Sequence, residues 1–412
     1  MNAERTPADA GMSWRSFTRV YNTDRLGFLA SLPALGPVVR MAANLVFVSD
    51  PGLIETVFRG TNTEFQMSLN RRLESVAAGR GDAALEAWMG ARRRASTAVH
   101  RSVAGSDETG RVELQAQVRA WMAAESPALV VEDLTRLHLR SSVRLVTGRP
   151  DAGLEAGVRT LLSSLVAVVD RGTRLPGPLA LLSRRHRRAR SNDDALRDYV
   201  AAMLAPTPSP GGIVGELANS GLDRTTIANL AVAVLLAGTL VPAAAGAWVL
   251  ALLTAHPNWQ EQVRADPRVK TWVINEALRL YPPTWLISRT TVRDGVYANW
   301  RLRAGDELVI SPYVSHRNPD VFTDPEKFRP ERWAGRSRPG IAEFFPFGAG
   351  ARRCLAADLA LLHLEELVQQ ITREGAELTG MFPRSVSTTS TLIPEALQVR
   401  FTERLPDRIP PL

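Results

Sequence analysis

From Ile227 to Ala255 the chain is almost uniformly apolar, and this stretch constrains the rest of the molecule more than any other. It is long enough to cross a bilayer core of roughly 30 Å. Asn229, a mid-run Pro242 and a content dominated by alanine and glycine argue instead for burial among protein neighbours. A helix that is hydrophobic all round belongs either in lipid or in the core of a large protein. Asp223 with Thr225 and Thr226 offers a start for it, and His256-Pro257 a stop. The reading is a long helix at the centre of a soluble protein, with no membrane span.

The remaining sequence supplies what such a helix needs around it. Residues 38 to 48 read as strands, and Ser49-Asp50-Pro51 opens a helix through Phe58. Residues 60 to 82 read as irregular. Helical periodicity then dominates to about residue 205, with a break from Gly172 to Pro178. Ala205 to Gly212 is a cluster of turn formers whose length suits a surface connection. A second helical block ends at Tyr281-Pro282-Pro283, and short β signals follow around 288 to 310. Residues 311 to 353 form a Pro-rich irregular run before a final helix over 355 to 372. The expectation is one domain over residues 1–412, mainly α with small β-sheets (α+β), after an irregular tail to about residue 20. There is no internal repeat.

Composition narrows the partners. Of 50 basic residues only Lys270 and Lys327 are lysines, and the net charge is +8. Apart from Arg92-Arg93-Arg94 and Arg184-Arg185-His186-Arg187-Arg188 the arginines are scattered, with no aromatic platform beside them, so nucleic acid is not an expected partner. One cysteine excludes an intrachain disulfide framework and any multi-cysteine metal site. Met1 to Arg19 shows no basic segment running into an apolar run, and the expected location is the cytoplasm.

A lone cysteine is usually a small buried hydrophobe. The surroundings of this one point elsewhere. Phe347-Gly348-Ala349-Gly350-Ala351-Arg352-Arg353-Cys354 sets two glycines and two arginines directly before the sulfur. Glycine permits unusual backbone angles and close approach to a bulky planar ligand. A helix starting just after Cys354 offers free N–H groups that favour a thiolate. Ala357, Leu361, Leu364, Val368 and Ile371 form the apolar line that would anchor that helix.

This segment resembles the cysteine-loop signature of the cytochrome P450 family, F-x-x-G-x-R-x-C, at Phe347, Gly350, Arg352 and Cys354. It departs two residues later, where the usual glycine is Ala356. Three further segments match in order. Asn275-Glu276-Ala277-Leu278-Arg279 is similar to the E-x-x-R helix, Phe328-Arg329-Pro330-Glu331-Arg332-Trp333 to the P-E-R-F/W segment, and Trp88-Met89-Gly90-Ala91-Arg92 to the W-x-x-x-R helix. The resemblance spans about residues 38 to 401.

It implies a P450 fold, with a long buried helix over haem b and Cys354 as axial ligand beneath it. A thiolate ligand pushes electron density onto iron and favours O–O cleavage. By the same resemblance Trp88, Arg92, Arg289 and Arg352 reach haem propionates, a task suited to the arginine fork. Ala237, Gly238, Phe347, Gly348, Ala356 and Ala360 line the cofactor, and Glu276, Arg279 and Arg332 form a buried charge network. Arg93, Arg94 and Arg353 are either a solvated basic face or a dock for an acidic ferredoxin, which with its reductase would supply electrons.

The sequence departs from the family where protons should be delivered. The long helix should carry A/G-G-x-D/E-T, whose acid and alcohol relay protons. Here it reads Ala237-Gly238-Thr239-Leu240-Val241-Pro242, with Leu240 for the acid and Val241 for the alcohol. Pro242 removes a backbone donor and should kink the helix. Thr239 is the nearby hydroxyl, and a mid-helix threonine commonly bonds its own backbone. Three chemistries stay open. In one, an oxidative tailoring enzyme takes protons from a substrate hydroxyl or an ordered water. In the second the enzyme uses a peroxide. The third is an oxygen-independent isomerase or dehydratase. A different class, a non-catalytic partner of a biosynthetic enzyme, is opposed by Cys354 and the arginines. By resemblance the pocket is walled by residues 65 to 85, Leu236, Thr239, Leu240, Val241, Trp285, Leu286, Ile287 and the stretch from Thr391 through Leu392 to Ile393. These are largely apolar, which suits a small lipophilic secondary-metabolite intermediate.

Overall fold

The computed structural model describes residues 4–67, 82–104, 108–123, 128–172, 184–204, 212–335, 339–373 and 376–403. Contacts gather into two compact units, one built from residues 1–75 and 275–354, the other from 76–274 and 355–412.

The first unit is organised by a six-stranded mixed sheet. Its order is Ala8–Asp9, Val38–Ala42, Leu45–Val48, Glu307–Ile310, Ile287–Thr291 and Phe65–Met67. Val38, Val46, Val48, Leu308 and Ile310 bury one face of it against Leu53, Ile54, Val57 and Phe58 of the helix Pro51–Arg59. That helix starts where expected. Pro51 occupies its first turn, and the Asp50 carboxylate accepts the Leu53 N–H at 2.8 Å. Arg40 grips Asp306 through two bonds of 2.8 and 2.9 Å, tying the start of the chain to a loop 266 residues later. A small hairpin, Gly295–Tyr297 with Trp300–Leu302, turns on Ala298 and Asn299, both at positive φ as a tight two-residue turn requires.

The second unit is helical. At its centre runs Arg224–Ala255, with the Asp223 carboxylate accepting the Thr226 N–H at its start and His256 at its end. It is long and apolar enough to cross a membrane by composition, yet 61% of its most hydrophobic window is buried in protein. The helices Asp82–Ala104, Val130–Thr147, Ala152–Gly172, Arg184–Met203 and Gly212–Ala218 surround it and share its core. Trp248, fully buried, donates from Nε1 to the Leu392 carbonyl at 2.9 Å and fixes the late loop to the helix. The final helix, Ala357–Ile371, buries Ala357, Leu364, Val368 and Ile371, while Leu361 of the expected line is only half-buried.

Several expectations are corrected. The tail expected to be irregular to about residue 20 holds a strand at Ala8–Asp9 and a helix at Trp14–Thr23, started by the Ser13 hydroxyl. Phe17 is buried there, stacked on Tyr21 and edge-on to Phe28, which gives the helix its anchor. Residues 60 to 82 are not wholly irregular, because Phe65–Met67 adds a strand beside Ile287–Thr291. The irregular run 311 to 353 contains a short helix at Pro312–Ser315 and 3₁₀ turns at Pro330–Trp333 and Gly350–Arg352. The expected breaks after Gly172 and over 205–211 lie outside the described residues.

Candidate active site

The cysteine loop sits at the end of the first unit. Gly348 and Gly350 adopt φ of +63° and +65°, and the Cys354 N–H returns to the Phe347 carbonyl at 2.8 Å, closing the loop on itself. At Gly350 a side chain is excluded twice, by the positive φ and because a Cβ would lie 2.1 Å from the Phe58 carbonyl oxygen. Two arginines are held close by. Arg289, 5% exposed, donates from Nε to the Thr61 hydroxyl at 3.3 Å and from Nη1 to the Ser288 carbonyl. Arg352 donates from Nε to the Asn62 side chain at 3.0 Å. Their anchors are consecutive residues, so the two guanidinium groups converge on one point of the chain. Neither Thr61 nor Asn62 was singled out in the sequence. The positive φ of Asn62, +79°, is the local feature that turns the chain there.

The same unit holds the densest polar network. Glu276 and Arg279, three residues apart on the helix Val269–Leu280, are both fully buried. Glu276 accepts both Arg279 Nε and Nη2, at 2.9 and 2.8 Å, and Arg332 Nε at 3.0 Å. It also takes the Arg329 backbone N–H at 3.0 Å and the Trp333 indole N–H at 2.9 Å. Arg279 spends its remaining donors on the carbonyls of His316, Pro325 and Lys327. A buried charge pair is tolerable only when its spare lone pairs and protons are satisfied in this way. His316 extends the network. Its ring, fully buried between Phe344 and Phe345, accepts the Phe345 N–H at Nε2 over 2.9 Å. The ion network is thereby joined to the residues that open the cysteine loop. Trp333 and His316 were missed as partners because neither has a fixed sequence spacing to Glu276.

In the second unit the turn Leu236–Pro242 is the least buried part of the central helix away from its two ends. Ala237 is exposed, and Leu236, Gly238, Leu240, Val241 and Pro242 are half-buried, between fully buried flanks. Thr239 is fully buried, and its hydroxyl donates to the Leu235 carbonyl at 2.6 Å, the back-bond expected of it. The helix continues through Pro242 to Ala255. Trp88 is buried in this unit's core, with Arg92 half-buried one turn on and Arg93 and Arg94 exposed. Ala356 and Leu359 pack against the same core, and Ala360 is half-buried. Leu392 is fully buried and Ile393 half-buried. In the first unit Trp285 and Ile287 are buried, Leu286 half-buried, and Arg353 half-buried. Of the expected pocket wall 65 to 85, residues 68–81 lie outside the described residues.

A single soft sulfur on a glycine-shaped loop, with two guanidinium groups anchored on consecutive residues of the same unit, suits a metal-bearing group with carboxylate tails. The residues present therefore fit a haem. Comparison with known proteins gives the class its name. The sequence profile described as Cytochrome P450 matches residues 180–374. The chain is 32% identical over 219 residues to cyclooctat-9-en-7-ol 5-monooxygenase of Streptomyces melanosporofaciens, covering 46% of this chain and 47% of that protein. It is 28% identical over 243 residues to pentalenene oxygenase of Streptomyces avermitilis, covering 53% and 51%. These matches thus span about half the length of the curated relatives. The crystal structure of CYP175A1 from Thermus thermophilus superposes with a TM-score of 0.79 at 27% identity, over 97% of this chain and 100% of that one. The chain is similar to cytochromes P450 and has their fold. Its cofactor is haem b, and its one cysteine, Cys354, is the axial thiolate ligand.

Proposed function

We propose that the protein is a haem-thiolate monooxygenase of secondary metabolism, acting on a small lipophilic intermediate of terpenoid type. The observation that carries this reading is the convergence of Arg289 and Arg352 on Thr61-Asn62 in the unit that also holds the closed Cys354 loop. That arrangement suits binding and holding a haem, and a non-catalytic partner protein has no need of it. The terpenoid class is taken from the oxygenases it resembles, and the apolar run Leu240-Val241 favours a greasy substrate over a charged one. When bound, the haem supplies oxygen activation through its thiolate-ligated iron.

The chain's own residues define what the protein must do differently. Leu240 and Val241 carry no proton, and the Thr239 hydroxyl is already committed to Leu235. In this reading protons come from a substrate hydroxyl or an ordered water, and the central helix contributes shape and exclusion of bulk solvent. By the family resemblance, Trp88, Arg92, Arg289 and Arg352 would hold the propionates, Ala237, Gly238, Phe347, Gly348, Ala356 and Ala360 would lie along the cofactor, and Leu236, Trp285, Leu286, Ile287, Leu392 and Ile393 would face the substrate. Electrons arrive from an acidic ferredoxin and its reductase, guided by Arg93, Arg94 and Arg353, in the cytoplasm.

The test is the reduced, CO-bound absorption spectrum of the purified protein and of Cys354→Ser. The parent protein gives the thiolate-type band. The variant loses that band and all turnover, because a serine hydroxyl is a poor iron ligand at neutral pH. An unchanged band in the variant, or no haem in the parent, would overturn the proposal.

A further inference from the structure

Pro242 poses a problem of hydrogen-bond accounting that its own helix does not solve. In an α-helix the N–H of residue 242 would serve the carbonyl of residue 238. Proline has no N–H, and its ring crowds the carbonyl four residues back. The Gly238 carbonyl therefore loses its donor inside a helix whose flanking turns are buried, where an unserved carbonyl is costly. Ser142 answers it. From the neighbouring helix Val130–Thr147, 96 positions earlier in the chain, its hydroxyl donates to the Gly238 carbonyl at 2.8 Å.

Three features show that this contact is built into the packing. Ser142 is 5% exposed, and its hydroxyl reaches across to the second helix. A helical serine ordinarily back-bonds within its own helix. Gly238 gives the hydroxyl room, since a Cβ there would lie 2.6 Å from Ser142 Oγ. The preceding turn is braced in a related way, with the Thr239 hydroxyl on the Leu235 carbonyl at 2.6 Å. Two hydroxyl groups thus hold the carbonyls on the N-terminal side of the proline.

The geometry points to Ser142 as the donor that replaces the helix bond removed by Pro242, and so as a positioning residue for the turn Gly238–Pro242. The bond itself stands on helix geometry alone. Its bearing on the reaction rests on the proposed function, because that reading places Leu240 and Val241 at the reacting site.

A double-mutant cycle on the haem-loaded protein tests this, using Ser142→Ala, Pro242→Ala and the two together. The first readout is backbone amide exchange over residues 239–246, with the thermal midpoint beside it. The second is imidazole affinity, read from the shift of the haem absorption band. Ser142→Ala alone raises exchange in the turn about tenfold, the loss expected for one buried hydrogen bond, and weakens or strengthens imidazole binding several-fold. With Pro242→Ala the helix regains its own donor, and the added Ser142→Ala then changes exchange little. If Ser142→Ala alone fails to fold, recovery in the double variant supports the same conclusion. Equal effects of Ser142→Ala with and without Pro242, or no effect on exchange in either background, would overturn the assignment. Coupled exchange with unchanged imidazole affinity would overturn the positioning role while leaving the haem reading intact. An absent haem in the parent protein strikes the proposed function only, and the exchange cycle still decides the case of Ser142.

Discussion

Two regions of this molecule, one fully and one partly buried, meet the cost of polar groups in opposite ways. Around Glu276 five donors converge on one carboxylate, and the opposing Arg279 has carbonyl partners for its remaining N–H groups. Around Gly238–Pro242 almost everything polar has been removed, and the one carbonyl stranded by a proline is served by a single distant hydroxyl. The first region is over-determined, so its members are interdependent and hard to change. The second is minimal, so its shape depends on one bond and on apolar packing, and its side chains are the more free to vary with the chemistry.

The largest effect is expected in the first region. Glu276→Ala strands Arg279, Arg332 and the Trp333 indole together, at about 3–5 kcal/mol for the broken buried pair. The expected product is haem-poor, poorly folded protein, measured as haem content per chain and as the unfolding midpoint. A haem-replete variant with a parental midpoint would show that the network is not what holds this unit together.

Acid acts on both units, and more gently. Each compact unit buries a neutral histidine: burial, aided by Arg279 and Arg317, pushes the His316 imidazole down to about 3, and burial beside His363 pushes His138 down to about 3. Unfolded histidine titrates near 6.5, so below about pH 6.5 the unfolded chain takes up protons that the folded chain refuses. Stability accordingly falls as pH drops from about 6.5 toward 3, by about 1.4 kcal/mol per pH unit for each such histidine. His138→Leu should flatten the acid limb of a stability curve measured by denaturant unfolding at several pH values. A slope unchanged by that substitution would remove His138 from the account.

The smallest effect is expected where the family's relay is missing. Leu240→Asp with Val241→Thr restores the usual acid and alcohol, yet product formed per reductant consumed should not rise. A carboxylate placed among apolar side chains costs solvation, and the pocket gains nothing that the substrate or a water does not already supply. A large gain in coupling would instead mark the helix as a degraded relay. Turnover without reductant, oxygen or peroxide would point to isomerisation or dehydration.

The two regions also differ in how far they could be read beforehand. The pairing of Glu276 with Arg279 was compatible with their three-residue spacing on a helix, but that pairing and the joining of Arg332 were legible through the family resemblance carried by the Glu276–Arg279 and Pro330-Glu331-Arg332 segments. The start of the central helix at Asp223 and its stop at His256 were legible from local patterns, as was the Thr239 back-bond. The helix at Trp14–Thr23 was not, because its anchor is the packing of Phe17 and Tyr21 on Phe28 of the next helix, while its other apolar residues, Trp14 and Val20, are exposed. The Phe65–Met67 strand is three residues long, and only pairing with Ile287–Thr291 defines it.

By itself the sequence determined the class of fold, the single cysteine available as thiolate ligand, and the apolar Leu240 and Val241 where the resemblance expects an acid and an alcohol. Each is written in residue identities at short spacings, or in a composition that leaves one arrangement open. Tertiary structure alone decided that Thr61 and Asn62 would anchor the two arginines, that His316 would join the ion network to the cysteine loop, and that Ser142 would serve Gly238. Those bonds link positions 29 to 290 residues apart. A hydrogen bond specifies a distance and an angle in space and has no preferred separation along the chain, so only the packed molecule reveals which donor meets which acceptor.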